Sequence, residues 1–510
     1  MSEKEQQPPF PPERAEDAAS SRRSGTPSVD QETILVEFGP QDDSDPHQWK
    51  RGRRTFIVFT ATLACINSTM GSALSANLIP YLQTAFNVPP GPQTILPASL
   101  YLVGFVFGPL VFAPLSESYG RKRVLVTGYI LFLIFTMACA LSPNWVAFLI
   151  FRFLAGTSAS PPMSVMGGVI ADVFDDRVTR GRALMFWSAA TLIGPLVAPI
   201  ISGFTGRYGW RWTFWAGLII GGVSSIAVFL LPETLASRIL WLKAAKLNKM
   251  NNCQRFVGPA DAHRGSVLRF MKTTLSRPLH LLVSEMILSL TCLYTAFVYS
   301  VFYMLLEIFP AIFEGIYGFS RGLTGVAFTM IGVGTFLACL VHVWYDGVGP
   351  RMSAKYPRKH AEFLRLPIAC AGGPAFVVAL LWLGWASRSG IPWIVPLLAT
   401  IPYGFAYQMI FMAMINYVAD AYGIYSASAL AAMGTTRSVA GALIPLAVDD
   451  MLDSLGIAWA CTLLAAISAV LSVVPLGFII WGEDIRRASK FSSKLQDQRD
   501  LALTRSLSVV

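Results

Sequence analysis

Twelve long apolar runs, each bounded by charge, proline or glycine, constrain this chain more than any other feature. They lie near 55–80, 93–115, 123–141, 145–170, 181–204, 212–232, 279–305, 322–345, 366–387, 391–417, 427–448 and 457–481. A bilayer-crossing helix needs about 20 mostly apolar residues, and a helix satisfies its own backbone where no water can. The pattern predicts an all-α integral membrane protein of twelve transmembrane helices. Composition agrees, because 54% of the 510 residues are hydrophobic and only 14% are charged, with a mean hydropathy of +0.53. A soluble globular chain is about one quarter charged. Charges this sparse exclude ordinary cytosolic, disordered, collagen-like and disulfide-rich secreted classes.

The charges that remain report topology. The net charge of +10 comes from 40 Lys+Arg against 30 Asp+Glu, and the basic residues sit in short loops, so nucleic acid is not expected as a partner. On one side lie Lys50, Arg51, Arg53 and Arg54, then Arg121, Lys122 and Arg123, then Arg177, Arg180 and Arg182. Lys243, Lys246, Lys249, Arg351, Lys355, Arg358, Lys359, Arg486 and Arg487 keep the same phase. The opposite loops carry little beyond Arg207, Arg211, Arg321 and Arg388. Both termini are therefore expected in the cytosol. The loop near Asp420 is an exception, with no Lys or Arg until Arg437, for which pairing with Asp420 and a structural role are expected.

Residues 1–50 are rich in Pro, Ser, Glu and Arg with no early apolar core, and read as a disordered cytosolic tail. Two groups of six spans follow, 55–232 and 279–481, joined by a cytosolic linker at 233–278 and ended by a tail at 482–510. Two six-helix halves around a central linker are the organisation of a secondary transporter, with its substrate site between the halves. A receptor, a channel subunit or a membrane enzyme is the competing reading of the architecture alone. Cys65, Cys139, Cys292, Cys339, Cys370 and Cys461 fall inside spans and Cys253 in the linker, with no CxxC pair, so no metal site or disulfide framework is expected. No cofactor is expected, and no P-loop, HExxH or acyl-transfer constellation favours an enzyme.

Several residues carry chemistry that lipid would penalise. Arg152 lies inside the fourth apolar run, where an arginine costs a few kcal/mol; the competing reading is that it snorkels to the outer surface. Glu285, Ser289, Cys292, Ala296, Tyr299, Tyr303 and Glu307 recur at steps of three or four, on one helical stripe. Glu285 is expected nearly two turns inside that span and protonatable, whereas Glu307 lies at its outer end. Asn67, Tyr299, Tyr303, Tyr407 and Gln408 are candidates for a central cavity, with helix-to-helix hydrogen bonding the equal alternative for Asn67, Tyr407 and Gln408. Gly194, Pro195, Pro199 and Gly203 bring two kinks and small packing residues to the fifth span. Ser142, Pro143 and Asn144 read as a hairpin turn between the third and fourth.

The loop Ala113-Pro-Leu-Ser-Glu117-Ser118-Tyr119-Gly120-Arg121-Lys122-Arg123 resembles the major facilitator signature Gly-x-x-x-Asp-Arg-x-Gly-Arg-Arg. Gly120, Arg121 and Lys122 match, Glu117 takes the acidic place, and Ala113 and Ser118 depart from it. The resemblance implies charge contacts that stabilise one state of a transport cycle, with Asp172 as partner to Arg121. Arg152-Phe-Leu-Ala-Gly156 is similar to the family's fourth-helix motif, in which the arginine is implicated in proton coupling. Gly194-Pro195-Leu-Val-Ala198-Pro199-Ile-Ile-Ser202-Gly203 resembles the antiporter motif Gly-Pro-x-x-Gly-Pro-x-x-Gly-Gly, with Ala198 and Ser202 in place of two glycines. Gly209-Trp210-Arg211-Trp212-Thr213-Phe214-Trp215, the segment from Arg277 to Phe319, Asp45-Pro46-x-x-Trp49 and Arg486-Arg487-Ala-Ser-Lys look like fungal twelve-span drug:proton antiporters, a group that includes exporters of polyketide toxins of the cercosporin type.

That resemblance implies a monomer in the cell membrane that exchanges protons for an amphipathic organic substrate, a drug or a secondary metabolite, and moves it out of the cytosol. Proton coupling is expected to use Arg152 and Glu285. Proton symport of a polyamine or nutrient is the alternative if the departures in the fifth span mark an importer, and a non-transporting membrane sensor or scaffold is the alternative of another class.

Overall fold

Hydrocarbon offers the backbone no hydrogen-bonding partner, so each apolar run must pair its own N–H and C=O groups. In the computed structural model they do so as helices. The structure describes residues 34–39, 42–251, 256–258, 278–355, 365–422 and 426–488. The tail before residue 34, Cys253, the linker stretch 259–277, Arg358, Lys359 and the tail after residue 488 lie outside the described residues, as do the side chains of Arg177, Arg351, Lys355, Arg486 and Arg487.

Spans 1 to 6 are Arg51–Phe86, Leu96–Tyr119, Arg121–Ala140, Trp145–Val173, Thr179–Tyr208 and Trp210–Leu230, and spans 7 to 10 are Met286–Ile316, Arg321–Tyr345, Leu366–Ala386 and Ile394–Tyr422. The eleventh stretch, Ser428–Gly482, has 55 residues. A straight helix of that length would reach about 80 Å, far beyond a hydrocarbon core of ~30 Å. The chain instead folds back at Gly456, whose φ of 70° and ψ of 168° suit glycine alone. Beyond that turn it runs along span 9 in the opposite direction, with Cys461 against Gly384 and Ser472 against Gly373. Spans 11 and 12 therefore share that stretch, and the chain forms two halves of six helices.

Polar residues set the helix ends as their chemistry requires. In the expected hairpin turn the Asn144 carboxamide accepts from the Ala147 N–H at 2.8 Å, and Asp176 accepts from Thr179 at 2.9 Å to start span 5. Within span 1 the helix Arg51–Ala73 stops, passes through a 3-10 turn at Ala76–Leu78 and resumes as Ile79–Phe86. Such a pause frees carbonyls that other groups must satisfy.

The expected disordered tail does not extend to residue 50. Residues Ile34–Leu35 form a short strand, β1, paired in parallel with β2 at Phe256–Val257. Val36 packs with Leu240 and Ala244 on the linker helix Ala236–Met250. Lys243 on that helix bonds Asp42 at 2.5 Å, and holds its carboxyl below the usual carboxylate range, with Ser44 adding to the effect. Asp45 then caps the 3-10 turn Pro46–Gln48, and Trp49 is buried beneath Arg53. The linker helix offers an apolar stripe that spans alone would leave uncovered, and the end of the tail covers it.

Glycine sets how closely spans 2 and 4 approach. A Cβ on Gly156 would lie 2.1 Å from the Tyr101 carbonyl oxygen, and one on Gly104 would lie 2.5 Å from the Thr157 nitrogen. Backbone cannot yield as a side chain does. Gly156→Val should therefore destabilise the protein by about 1–3 kcal/mol, read as a lower melting temperature of the purified chain.

Candidate functional site

The turn between spans 2 and 3 is built around Gly120, which adopts a φ of 102°. Arg121 follows, pairing through Nε with Asp172 Oδ2 at 3.2 Å and through Nη1 with Ser116 Oγ at 2.9 Å. Thr234 Oγ1 donates to the same Asp172 oxygen at 3.3 Å. A second acid completes the cluster. Glu233 accepts from the backbone N–H groups of Arg121 at 2.9 Å, Lys122 at 3.3 Å, and Thr234 and Leu235 at 3.1 Å each. One carboxylate thus satisfies the starts of span 3 and of the linker helix, where orphan donors and helix dipoles both favour an anion. Glu117 is exposed and makes no ion pair among the described residues. The acid that closes the turn is Glu233, from the far end of the N-terminal half.

Away from that turn, Arg152 is 2% exposed. Its Nε donates to Pro97 O at 2.8 Å, Nη1 to Gly71 O at 2.8 Å and Nη2 to Ser72 O at 3.0 Å, with the guanidinium 4.6 Å from the Tyr101 ring centre. It does not snorkel. The carbonyls of Gly71 and Ser72 belong to the last turn of Arg51–Ala73, where no following N–H continues the ladder. Arg152 caps that broken end and ties spans 1, 2 and 4 together.

Ser72 also links the two halves. Its hydroxyl lies 2.7 Å from Tyr303 Oη, which lies 3.3 Å from Tyr299 Oη. Both phenols are on span 7, as the stripe predicts. Around them, Tyr407 stacks on Phe411 at 4.5 Å and 13°, Phe302 lies 6.0 Å from Tyr407, and Tyr299 lies 6.3 Å from Phe411. The Arg437 guanidinium stands 4.9 Å from the Tyr299 ring centre and 5.8 Å from that of Phe411. Aromatic planes and one cation thus meet beside the junction of the halves.

The model of the family described as "Major Facilitator Superfamily" matches residues 60–445. The chain belongs to that superfamily. It is 33% identical to "Efflux pump FUBT" of Fusarium oxysporum, over 92% of this chain and 80% of the relative. It is 35% identical to "Multidrug transporter TPO3" of Candida glabrata, over 94% of this chain and 76% of the relative. Among solved structures it is similar to the xylose transporter XylE from E. coli, with a TM-score of 0.60, 17% identity, and 84% and 98% of the two chains covered. That likeness speaks to the fold. The chain is a multi-pass membrane transporter of small organic compounds rather than an enzyme.

Within this superfamily fold, the small residues of span 5 are where the helices touch. A Cβ on Gly194 would lie 2.1 Å from Thr69 Oγ1 and 2.5 Å from Ile66 O on span 1. One on Gly203 would lie 2.4 Å from Arg321 O on span 8, and one on Gly325 would lie 2.4 Å from Pro199 O. Asn77 Nδ2 donates to Pro199 O at 2.9 Å and reaches Arg321 O at 3.4 Å. Pro195 and Pro199 lie inside the helix Arg177–Thr205, and the seam joins the two halves.

Other candidates take places that helical periodicity alone does not give. Glu285 is 1% exposed, but it precedes the helix Met286–Phe309 at a break with φ −114° and ψ 102°. Residues 278–284 are helical ahead of that break and the Glu285 N–H still donates to Leu281 O at 3.0 Å, so the carboxyl stands at a kink between two helical segments, where Tyr422 Oη donates to it at 3.4 Å. Asn67 donates to Ser224 Oγ at 2.7 Å and to Leu63 O at 3.1 Å, so its amide joins spans 1 and 6. Gln408 is 1% exposed and its Nε2 has no partner among the described residues. Asp420 pairs with Arg365 at 3.9 Å, not with Arg437.

Sequence reasoning missed Glu233. The signal was present, since an acid directly before an amphipathic helix is placed to bond its first N–H groups. Glu233→Ala would orphan four donors at two helix starts. A loss of about 1–3 kcal/mol is expected, read by thermal melting, with Glu233→Gln recovering part of it.

Proposed function

We propose that the chain is a proton-coupled secondary active transporter of the plasma membrane, acting as a monomer with both termini in the cytosol. It exports amphipathic organic compounds, drugs or a secondary metabolite, by alternating access. The observation that carries the reading is the buried aromatic cluster at the Ser72–Tyr303 junction of the halves. Secondary transporters place substrate near the midplane between repeats, and stacked rings hold a flat hydrophobic molecule with little directional matching. Export is supported by relatives that carry efflux-pump and multidrug-transporter names at 33% and 35% identity. The xylose transporter's likeness, at 17% identity, bears on fold and not on direction.

Glu285 is the proposed proton carrier, with Tyr422 as its hydrogen-bond donor. Arg152 acts by holding the span 1 break rather than by releasing a proton, since an arginine stays charged. Cells carrying the chain should retain less of several compounds in a hydrophobic panel than cells without it, and a protonophore should abolish the difference. Greater retention would point to import instead. In inverted vesicles with a defined pH gradient, Glu285→Gln should lose gradient-driven flux and keep substrate binding. Full gradient-dependent flux in that variant would remove Glu285 from the coupling step.

A further inference from the structure

Two arginines stand inside the spans near the junction of the halves, and they are used differently. Arg152 spends its guanidinium on three backbone carbonyls. Arg437 makes no hydrogen bond or ion pair among the described residues, and its Nε is buried without an acceptor. Its position is central. It lies eleven residues past the start of the helix Ser426–Leu443, or about 16 Å along it, halfway through a core of ~30 Å. Four residues on, Gly441 packs against Tyr299 of span 7, and a Cβ there would lie 3.4 Å from Leu102 of span 2. This face of span 11 is therefore turned towards the opposite half.

A guanidinium has five donors in a planar fork and cannot shed its charge. Left in the membrane without a counter-ion it is costly, and it marks a functional site by default. The rings of Tyr299 and Phe411 offset part of that cost through their faces. They leave the fork without a planar anion, the group it is shaped to bind through two bonds. Beside it, the Tyr407–Phe411 stack offers flat apolar walls. Gln408, one residue from Tyr407, adds a second buried donor without a partner.

We infer that Arg437, with the ring faces of Tyr299 and Phe411, forms an anion subsite at mid-membrane, and that the substrates of this transporter include planar aromatic acids. The carboxylate or enolate sits on the guanidinium and the ring lies against the aromatic walls. This deepens the export reading and rests on it for the claim that what binds is carried.

The test uses the full chain in lipid nanodiscs and an isosteric pair of probes, 2-naphthoate and neutral 2-naphthamide, measured by equilibrium binding. The wild type should prefer naphthoate. Arg437→Gln should weaken naphthoate by at least about tenfold, since removing one partner of a buried charge pair costs that much or more. Naphthamide binding should stay unchanged, and Arg437→Lys should recover part of the preference. Three results overturn the inference: no binding of naphthoate to folded wild type, equal binding of the two probes, or equal weakening of both in Arg437→Gln, which marks a packing role. If Arg437→Gln does not fold, the lysine variant decides, because a point charge without the fork should bind naphthoate more weakly than the wild type. Proteoliposome flux separates the two readings. Charge-selective binding without gradient-driven flux sinks the export reading alone, and gradient-driven flux that ignores charge sinks the subsite alone.

Discussion

The bond set on which the N-terminal half depends is the guanidinium of Arg152 against the carbonyls of Gly71, Ser72 and Pro97. Span 1 cannot run straight and still present both Ser72 to the opposite half and Asn77 to span 5. It therefore breaks at Ala73, and a break in hydrocarbon leaves carbonyls that water cannot reach. A neutral donor would satisfy one. Arginine satisfies both Gly71 and Ser72, adds a bond to Pro97 of span 2, and its charge complements the negative end of the broken helix. The apparent extravagance of a buried cation is the condition for the kink.

The same logic operates in half-buried form at the turn between spans 2 and 3. There the orphan groups are N–H donors, so the satisfying residue is an acid. Glu233 closes the starts of span 3 and the linker helix together, while Asp172 holds Arg121. Because Glu233 follows span 6 and Arg121 opens span 3, this cluster fixes the first half as one rigid piece. The linker helix is fixed to the same piece and carries the end of the tail through Val36 and the Lys243–Asp42 pair.

Spans and charge asymmetry were legible in the chain because each depends on composition, and the pairing of Arg121 with Asp172 followed from the resemblance of the loop after span 2 to the major facilitator signature. What was not legible depends on where helices break. Glu285 falls in phase with Tyr299 and Tyr303 on an ideal helix, yet it sits at a break between helical residues 278–284 and the helix Met286–Phe309. The extra crossing hidden in Ser428–Gly482 rests on one glycine conformation at Gly456. Arg437 and Asp420 looked like partners because no other charge lies between them in sequence. Arg365, at the start of span 9, reaches Asp420 instead, and no local pattern could show that.

A continuous path of polar contacts runs from Arg152 through Ser72, Tyr303 and Tyr299 to Arg437, and it crosses from one half to the other at a single hydroxyl pair. A neutral hydrogen bond of that kind contributes only about 0.5–1.5 kcal/mol net. The seam at Gly203 and Gly325 is backbone against side-chain-free backbone, held by shape rather than by charge. Neither feature resists a rigid-body separation of the halves strongly, whereas Arg152 and Glu233 brace the interior of the first half with charged bonds to several groups each. Strong contacts inside a half and weak ones between halves are the distribution of energies that rocking requires, since a junction made of buried ion pairs would lock one state.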